Sequence, residues 1–255
     1  MPTLFPLIEA YFSTLLGCHL TALRPGVTRV HPSRRRLLRE ESYSFRQPLW
    51  WLWLADGRSL VSVMPGAEQA VASLVAGVGA ADMLLQPTLG AQLCKVLDPL
   101  LRARRLPATD RAQPQLLLAC NAATLRRHPH TQLRQLTDTT VPPAADLSLP
   151  THCFPDGLVY GIVAGGRVVS VAYAHHTGLM EDRVADLGIE TAAAHRRRGY
   201  ARAAVSAVAA AMIDRGGEAV YSLSPDNAAS LATARSAGFV PFASGLYLGA
   251  PLHRL

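Results

Sequence analysis

A chain of 255 residues with 49% hydrophobic and 17% charged side chains is long enough to bury a real core and too apolar to be disordered. Its formal charge of +7 favours acidic partners, phosphates or nucleic acid, without choosing between them. No apolar run reaches the roughly 18 residues that a membrane-spanning helix needs, so a membrane is not expected as a partner.

The opening "MPTLFPLIEAYFSTLLGCHL" lacks a basic start and is interrupted by Glu9, so an amphipathic helix over residues 4–16 is expected in place of a leader peptide. "RLLREESYSF" reads as a strand. "PLWWLWLADGRSLVSVMP" reads as a hairpin turning at Asp56-Gly57, its Trp50 to Trp53 run being core or interface. "GAEQAVASLVAGV" and "LGAQLCKVLDPLLRARRL" have helical spacing, and "PQLLLACN" is a short apolar strand. The polar break "RRHPHTQ" suggests a boundary between an N-terminal α/β domain (1–128) and a second domain (129–255).

Beyond the break, "LRQLTD" is a strand and the proline-rich "VPPAADLSLP" a loop or short helix. "GLVYGIVAGGRVVSVAYAHHT" is two strands joined at Gly165-Gly166. "VADLGIET" is a third strand, apolar enough for burial on both faces. A helix from Gly199 to about Arg215, the strand "EAVYSLS" and the helix "PDNAASLATARSAG" follow. Ser224 is the expected N-cap of that helix, Pro225 its first residue and Gly238 its end. "FVPFASGLYLGAPL" closes with one or two short strands. The order β-β-β-β-α-β-α-β implies a mixed sheet with covering helices, an α/β (α+β) fold.

The four cysteines, Cys18, Cys94, Cys120 and Cys153, form no CxxC pair and read as buried, reduced thiols of a cytoplasmic protein. His128 and His130 lack a third ligand and HExxH is absent, so no metal is expected. "GVGAAD" at 77–82 is a broken G-x-G-x-x-G behind a helical pattern, and no Walker motif or G-x-S-x-G elbow occurs. Arg34 to Arg36 come with no nucleic-acid-binding module, so nucleic acid is not the expected partner.

The informative stretch is "HRRRGYARAAVSAVAAAM", residues 195–212. A helix N-terminus leaves its first N–H groups unpaired and carries about half a positive charge. Arg196, Arg197 and Arg198 add to that charge, Gly199 and Ala201 let the backbone approach closely, and an anion such as a diphosphate would balance the whole.

"RRRGYA" resembles R-x-x-G-x-G/A, the pyrophosphate loop of GNAT-superfamily acyl-CoA N-acyltransferases. "LGIET" before it and "DNAASLATARSAGF" after it fit the same pattern over roughly residues 133–248. The form is also similar to a subgroup with an extra N-terminal domain that includes a bacterial antibiotic-acetylating enzyme. The resemblance implies a C-terminal GNAT-like mixed sheet flanked by helices and preceded by a smaller α/β domain, one that walls the acceptor pocket, forms a dimer surface or is a degenerate copy of the fold. It implies acetyl-CoA as co-substrate and a small amine as acceptor. Backbone of Leu187, Gly188, Ile189, Glu190 and Thr191 would pair with the pantetheine arm, and amides of Arg197 to Ala201, Tyr200 among them, would hold the pyrophosphate. Asn227 reads equally as cofactor-side Asn or helix cap. Glu190 is the first candidate base, with His175 and His176 as candidates on the neighbouring strand. Many GNAT enzymes carry an acid tyrosine seven residues after the Asn; here that position is Ala234, which leaves a non-catalytic acyl-CoA-binding module as the alternative.

Overall fold

The computed structural model describes residues 3–38, 45–85, 87–176, 179 and 183–252. The first half of the chain runs α1 (Pro6–Leu16), β1 (Thr28–Pro32), β2 (Phe45–Leu54), β3 (Ser59–Val63), α2 (Glu68–Val75), α3 (Ala80–Leu85), α4 (Pro87–Ala103) and β4 (Arg111–Cys120). The second half runs β5 (Leu133–Gln135), β6 (Val159–Ala164), β7 (Arg167–His175), β8 (Val184–Thr191), α5 (Tyr200–Asp214), β9 (Glu218–Leu223), α6 (Ala228–Ser236) and β10 (Val240–Pro251). The order inferred for the second half is the order observed. Contacts divide the chain into one unit of Met1–Ile8, Leu118–Ser222 and Asn227–Val240, and another of Glu9–Leu117, Leu223–Asp226 and Pro241–Leu255.

In the second of these units the strands follow the order β1-β3-β2-β10, with β4 next to β10. The hairpin forms as its Asp-Gly turn dictates: β2 and β3 pair antiparallel, Gly57 sits at φ +87, and Asp56 accepts the Arg58 amide. Trp51 is wholly buried and its Nε1 donates to Ser59 Oγ at 2.9 Å, while Trp53 is half-buried. One core joins Leu49, Trp51, Val61 and Val63 to Leu93, Leu97 and Leu101 of α4 and to Leu246 and Leu248 of β10. The Glu9 carboxylate, which breaks the apolar pattern of α1, is buried and bonded to Arg58 at 2.7 Å.

Several expectations for this part need correction. The strand read into "RLLREESYSF" is corrected where it is described: Arg36, buried, and Leu37 belong to a 3-10 turn, Arg34–Leu37, and only Phe45 is in a strand, as the first residue of β2; residues 39–44 lie outside the described residues. β10 is one strand of 12 residues, not two short ones. Its glycines make room: a Cβ at Gly245 would meet the Trp50 ring at 2.9 Å. The cysteines are free, but Cys94 is only half-buried.

The other unit holds the strand order β9-β8-β7-β6-β5. β5 to β8 pair antiparallel with their neighbours, and β8 pairs parallel with β9. Cross-strand partners share a face. One face therefore carries Val171 with Glu190, Tyr173 with Gly188, and His175 with Asp186. It packs Val159, Val171 and Tyr173 against Cys153 and Phe154 of a 3-10 turn, Thr151–Asp156. The other face carries Ser170 with Thr191 and Ala172 with Ile189, and α5 lies on it, Ala203 packing with Ile162. Burial of β8 on both faces holds only over its first part, because Glu190 is exposed.

No described helix is long and apolar enough to cross a membrane.

Candidate active site

The strand before the arginine run is paired on one edge only for most of its length. β8 meets β7 from Asp186 to Thr191, but it meets β9 only at Val184, Ala185 and Asp186. Beyond Asp186 the β8–β9 pairing opens into a fork, and Leu187 to Thr191 have no β9 partner. At its apex a side chain replaces the main-chain bond: Asp186 Oδ1 accepts the Ser222 amide of β9 at 2.9 Å. Removal from water pushes the Asp186 carboxyl up to about 6, against the lowering pull of the Ser222 bonds.

The chain then turns through a 3-10 segment, Ala193–His195, into the loop ahead of α5. Arg197 takes a left-handed φ of +61 and Gly199 one of +80. A non-glycine residue there costs about 1–2 kcal/mol, which the fold around Arg197 sustains. Arg196 Nε donates to the Thr191 carbonyl and a nitrogen of Arg198 to the Ala194 carbonyl, each at 3.2 Å, so both guanidinium groups brace the bend. The backbone amides of Arg197, Arg198, Gly199, Tyr200, Ala201 and Arg202 have no hydrogen-bond partner among the described residues. The first intrachain bond after the bend runs from the Ala203 amide to the Gly199 carbonyl at 3.1 Å.

These amides face a cleft of about 1040 Å³ between the loop and α6, at the upper end of the range for small-molecule sites. Ile189, Glu190, Thr191, Arg196, Arg197, Arg198, Gly199, Tyr200, Ala201 and Asn227, all expected site residues, line it together. Arg202 and Ser230 line it as well. Leu187 and Gly188 are not in its wall; they lie deeper along the fork. Asn227 is the cap of α6, accepting the Ser230 amide at 3.0 Å, and it also borders the cleft. Ser224 is not the cap: α6 starts at Ala228, three residues after Pro225, and Ser224 bonds Asp226 instead. Gly238 follows the end of α6 at φ +97, as its position in the sequence suggests.

Glu190 borders the cleft with its carboxylate accepting the Ser148 amide at 3.1 Å. His175 and His176 do not border it. His175 stands at the far end of β7, opposite Asp186, and His176 lies 3.9 Å from Asp156. Ala234 is fully buried within α6. Two hydroxyls stand near the fork in its place. Tyr173 lies over Gly188, its phenol pushed up by burial and by Cys153, Asp186 and Glu190. Tyr221 of β9 is buried, which pushes its phenol up to about 12. Asp186, Tyr173, Ser148 and Arg202 were not singled out from the sequence. Asp186 alone left a signal there, a carboxylate inside an apolar strand.

His128 and His130 are engaged elsewhere: His128 Nε2 bonds the Ser236 carbonyl at 2.8 Å and His130 sits edge-on to Tyr200. A different trio, His152, Cys153 and His175, brings its ligand atoms within 4.8 Å of one another.

The model of the Acetyltransferase (GNAT) family matches residues 126–239. Among solved structures, a GNAT-family protein from Novosphingobium aromaticivorans DSM 12444 is similar at 21% identity and TM-score 0.46, covering 56% of this chain and 67% of that one. A GNAT-family acetyltransferase from Colwellia psychrerythraea is similar at 14% identity and TM-score 0.44, covering 55% and 58%. A GCN5-related N-acetyltransferase-like protein from Streptococcus suis 89/1591 is similar at 23% identity and TM-score 0.31, covering 36% and 35%. The chain thus spans little more than a third to two thirds of these structures. No curated protein matches it significantly. The bend, the fork and the cleft all fall inside residues 126–239, the segment that matches the model of the Acetyltransferase (GNAT) family.

Proposed function

We propose that this protein is an N-acetyltransferase that moves the acetyl group of acetyl-CoA onto a primary amine of a small acceptor by direct attack. The observation that carries the proposal is the run of six amides at residues 197–202 with no hydrogen-bond partner among the described residues, beside a cleft edged by Arg196, Arg197, Arg198 and Arg202. Convergent N–H groups at a helix start, with fixed positive charge around them, fit a diphosphate. The fork supplies a second fit, since the unpaired edge of Leu187 to Thr191 can accept an extended diamide arm as it would another strand.

Acetyl-CoA supplies an activated acyl thioester when bound. The residues of the chain orient it and manage protons. An alkyl amine with a pKa near 10.4 must lose a proton before it attacks. Glu190, exposed at the cleft edge and held by the Ser148 amide, is the proposed base. Asp186, whose carboxyl burial pushes up to about 6, is the second candidate base, deeper along the fork than the cleft wall. His175 and His176 fit an acceptor-side role better than a cofactor-side one, because they lie on the Asp186 end of the strand pair. Four free cysteines accord with a reducing, cytoplasmic setting.

Calorimetry with acetyl-CoA tests the reading. Saturable binding is expected, and no heat at millimolar ligand would defeat it. Ala234 favours one other reading, a module that binds acyl-CoA without turning it over. Thiol release over a panel of small amines separates the two: release above the acceptor-free rate identifies the enzyme.

A further inference from the structure

A short turn and the end of a strand bring three ligating side chains together outside the cleft. His152 and Cys153 come from the 3-10 turn Thr151–Asp156, and His175 from the end of β7. One ring nitrogen of each histidine and Cys153 Sγ lie within 4.8 Å of one another. The two imidazole rings are 6.1 Å apart by centroids, with their planes at 74°. Cys153 is buried and His152 exposed. Neither the Cys153 thiol nor the His152 ring makes a hydrogen bond among the described residues.

The scaffold under the trio is stiff. Pro150 and Pro155 restrict the turn, the Cys153 amide donates to the Pro150 carbonyl at 2.9 Å, and Phe154 is locked into the apolar cluster with Val159 and Val171. Two ligands on one braced turn and a third on a β-strand form a preorganised set. One sulfur and two imidazole nitrogens suit a borderline divalent cation and not a hard one such as Mg2+ or Ca2+. Zinc bonds of about 2.0–2.3 Å in tetrahedral geometry set ligand atoms about 3.5 Å apart, so the trio closes by about 1 Å. His152 is the one exposed member of the trio, its ring edge-on to those of Tyr173 and His175.

We propose that His152, Cys153 and His175 bind a zinc-class divalent cation through one thiolate and two imidazoles, with the fourth tetrahedral position open. Binding deprotonates the Cys153 thiol and releases one proton to solvent. The site lies on the sheet face that carries Glu190 and Asp186, opposite the face covered by α5, and its binding of a cation is read without turnover.

Titration of the full-length, chelator-treated protein with Co2+ tests it. One equivalent is expected to give a thiolate-to-cobalt charge-transfer band and the visible bands of tetrahedral cobalt, both displaced by Zn2+. Cys153→Ser is expected to lose the charge-transfer band. His152→Ala, at an exposed position and checked for folding by circular dichroism, is expected to weaken binding by at least about tenfold. No charge-transfer band at one equivalent, or unchanged affinity in His152→Ala, would overturn the site. If Cys153→Ser does not fold, His152→Ala alone decides.

Discussion

The ring of Tyr173 fills the space that a side chain at Gly188 would need: a Cβ there would lie 2.3 Å from its Cζ and 2.6 Å from its hydroxyl. The two residues are cross-strand partners at the start of the fork. Gly188→Ala is therefore expected to cost about 1–3 kcal/mol through overpacking. In a Tyr173→Ala background the same substitution should cost much less. Denaturant unfolding of the four proteins measures the coupling, and strictly additive costs would contradict the contact.

Gly199→Glu addresses the bend. A Cβ at Gly199 would meet only a nitrogen of Arg202, at 3.5 Å, so the fold should lose no more than the roughly 1–2 kcal/mol of a left-handed non-glycine residue. The carboxylate would occupy the anion position and repel a diphosphate. Acetyl-CoA affinity is expected to fall by about a hundredfold or more while thermal unfolding stays cooperative. Unchanged affinity in calorimetry would place the diphosphate elsewhere.

Asp186 gives stability a pH dependence whose sign can be worked out. Its folded pKa, near 6, is above the ordinary 3.8, so between about pH 4 and pH 6 the folded chain holds a proton that the unfolded chain has released. Its contribution to stability falls as pH rises through that window and is constant above it. Asp186→Asn keeps an acceptor for the Ser222 amide and removes the slope. It is expected to raise stability at pH 7 by about 1–3 kcal/mol and to change little at pH 4. Urea unfolding at pH 4, 5 and 7 checks this; greater destabilisation at pH 7 than at pH 4 would refute it.

The Glu9–Arg58 pair predicts a contrast between two carboxylates on one arginine. Glu9 and Arg58 side chains are 8% and 15% exposed, whereas Asp56, bonded to the same guanidinium, is 52% exposed. Glu9→Ala leaves Arg58 without its shielded partner and should cost about 3–5 kcal/mol. Asp56→Ala should cost less than about 1 kcal/mol. Comparable losses in thermal unfolding would contradict the burial argument.

The bend was legible in the sequence because its signals are local: arginines, a glycine and an alanine-rich helix follow one another within a few residues. The fork was not, because it depends on where β8 stops pairing with β9, a register that no local pattern carries. Asp186 shows the cost of reading a strand by its apolar average; its carboxylate is enclosed by the fork, not turned to solvent. His152 and His175 are 23 positions apart in the numbering and meet only because β6 and β7 fold the intervening chain back. The start of α6 was misplaced because Ser224-Pro225 carries the stronger local signal, while Asn227 faces the Ser230 amide.

A strand that is bonded on one side and bare on the other should announce itself in deuterium uptake. Successive N–H groups along β8 point alternately toward β7 and toward the gap. From Leu187 to Thr191, every second amide should exchange with solvent at a rate closer to that of a loop, and its neighbours at the rate of a sheet interior. Filling the gap would erase the alternation, so the periodicity of labelling along five residues would report occupancy without any need to know the acceptor.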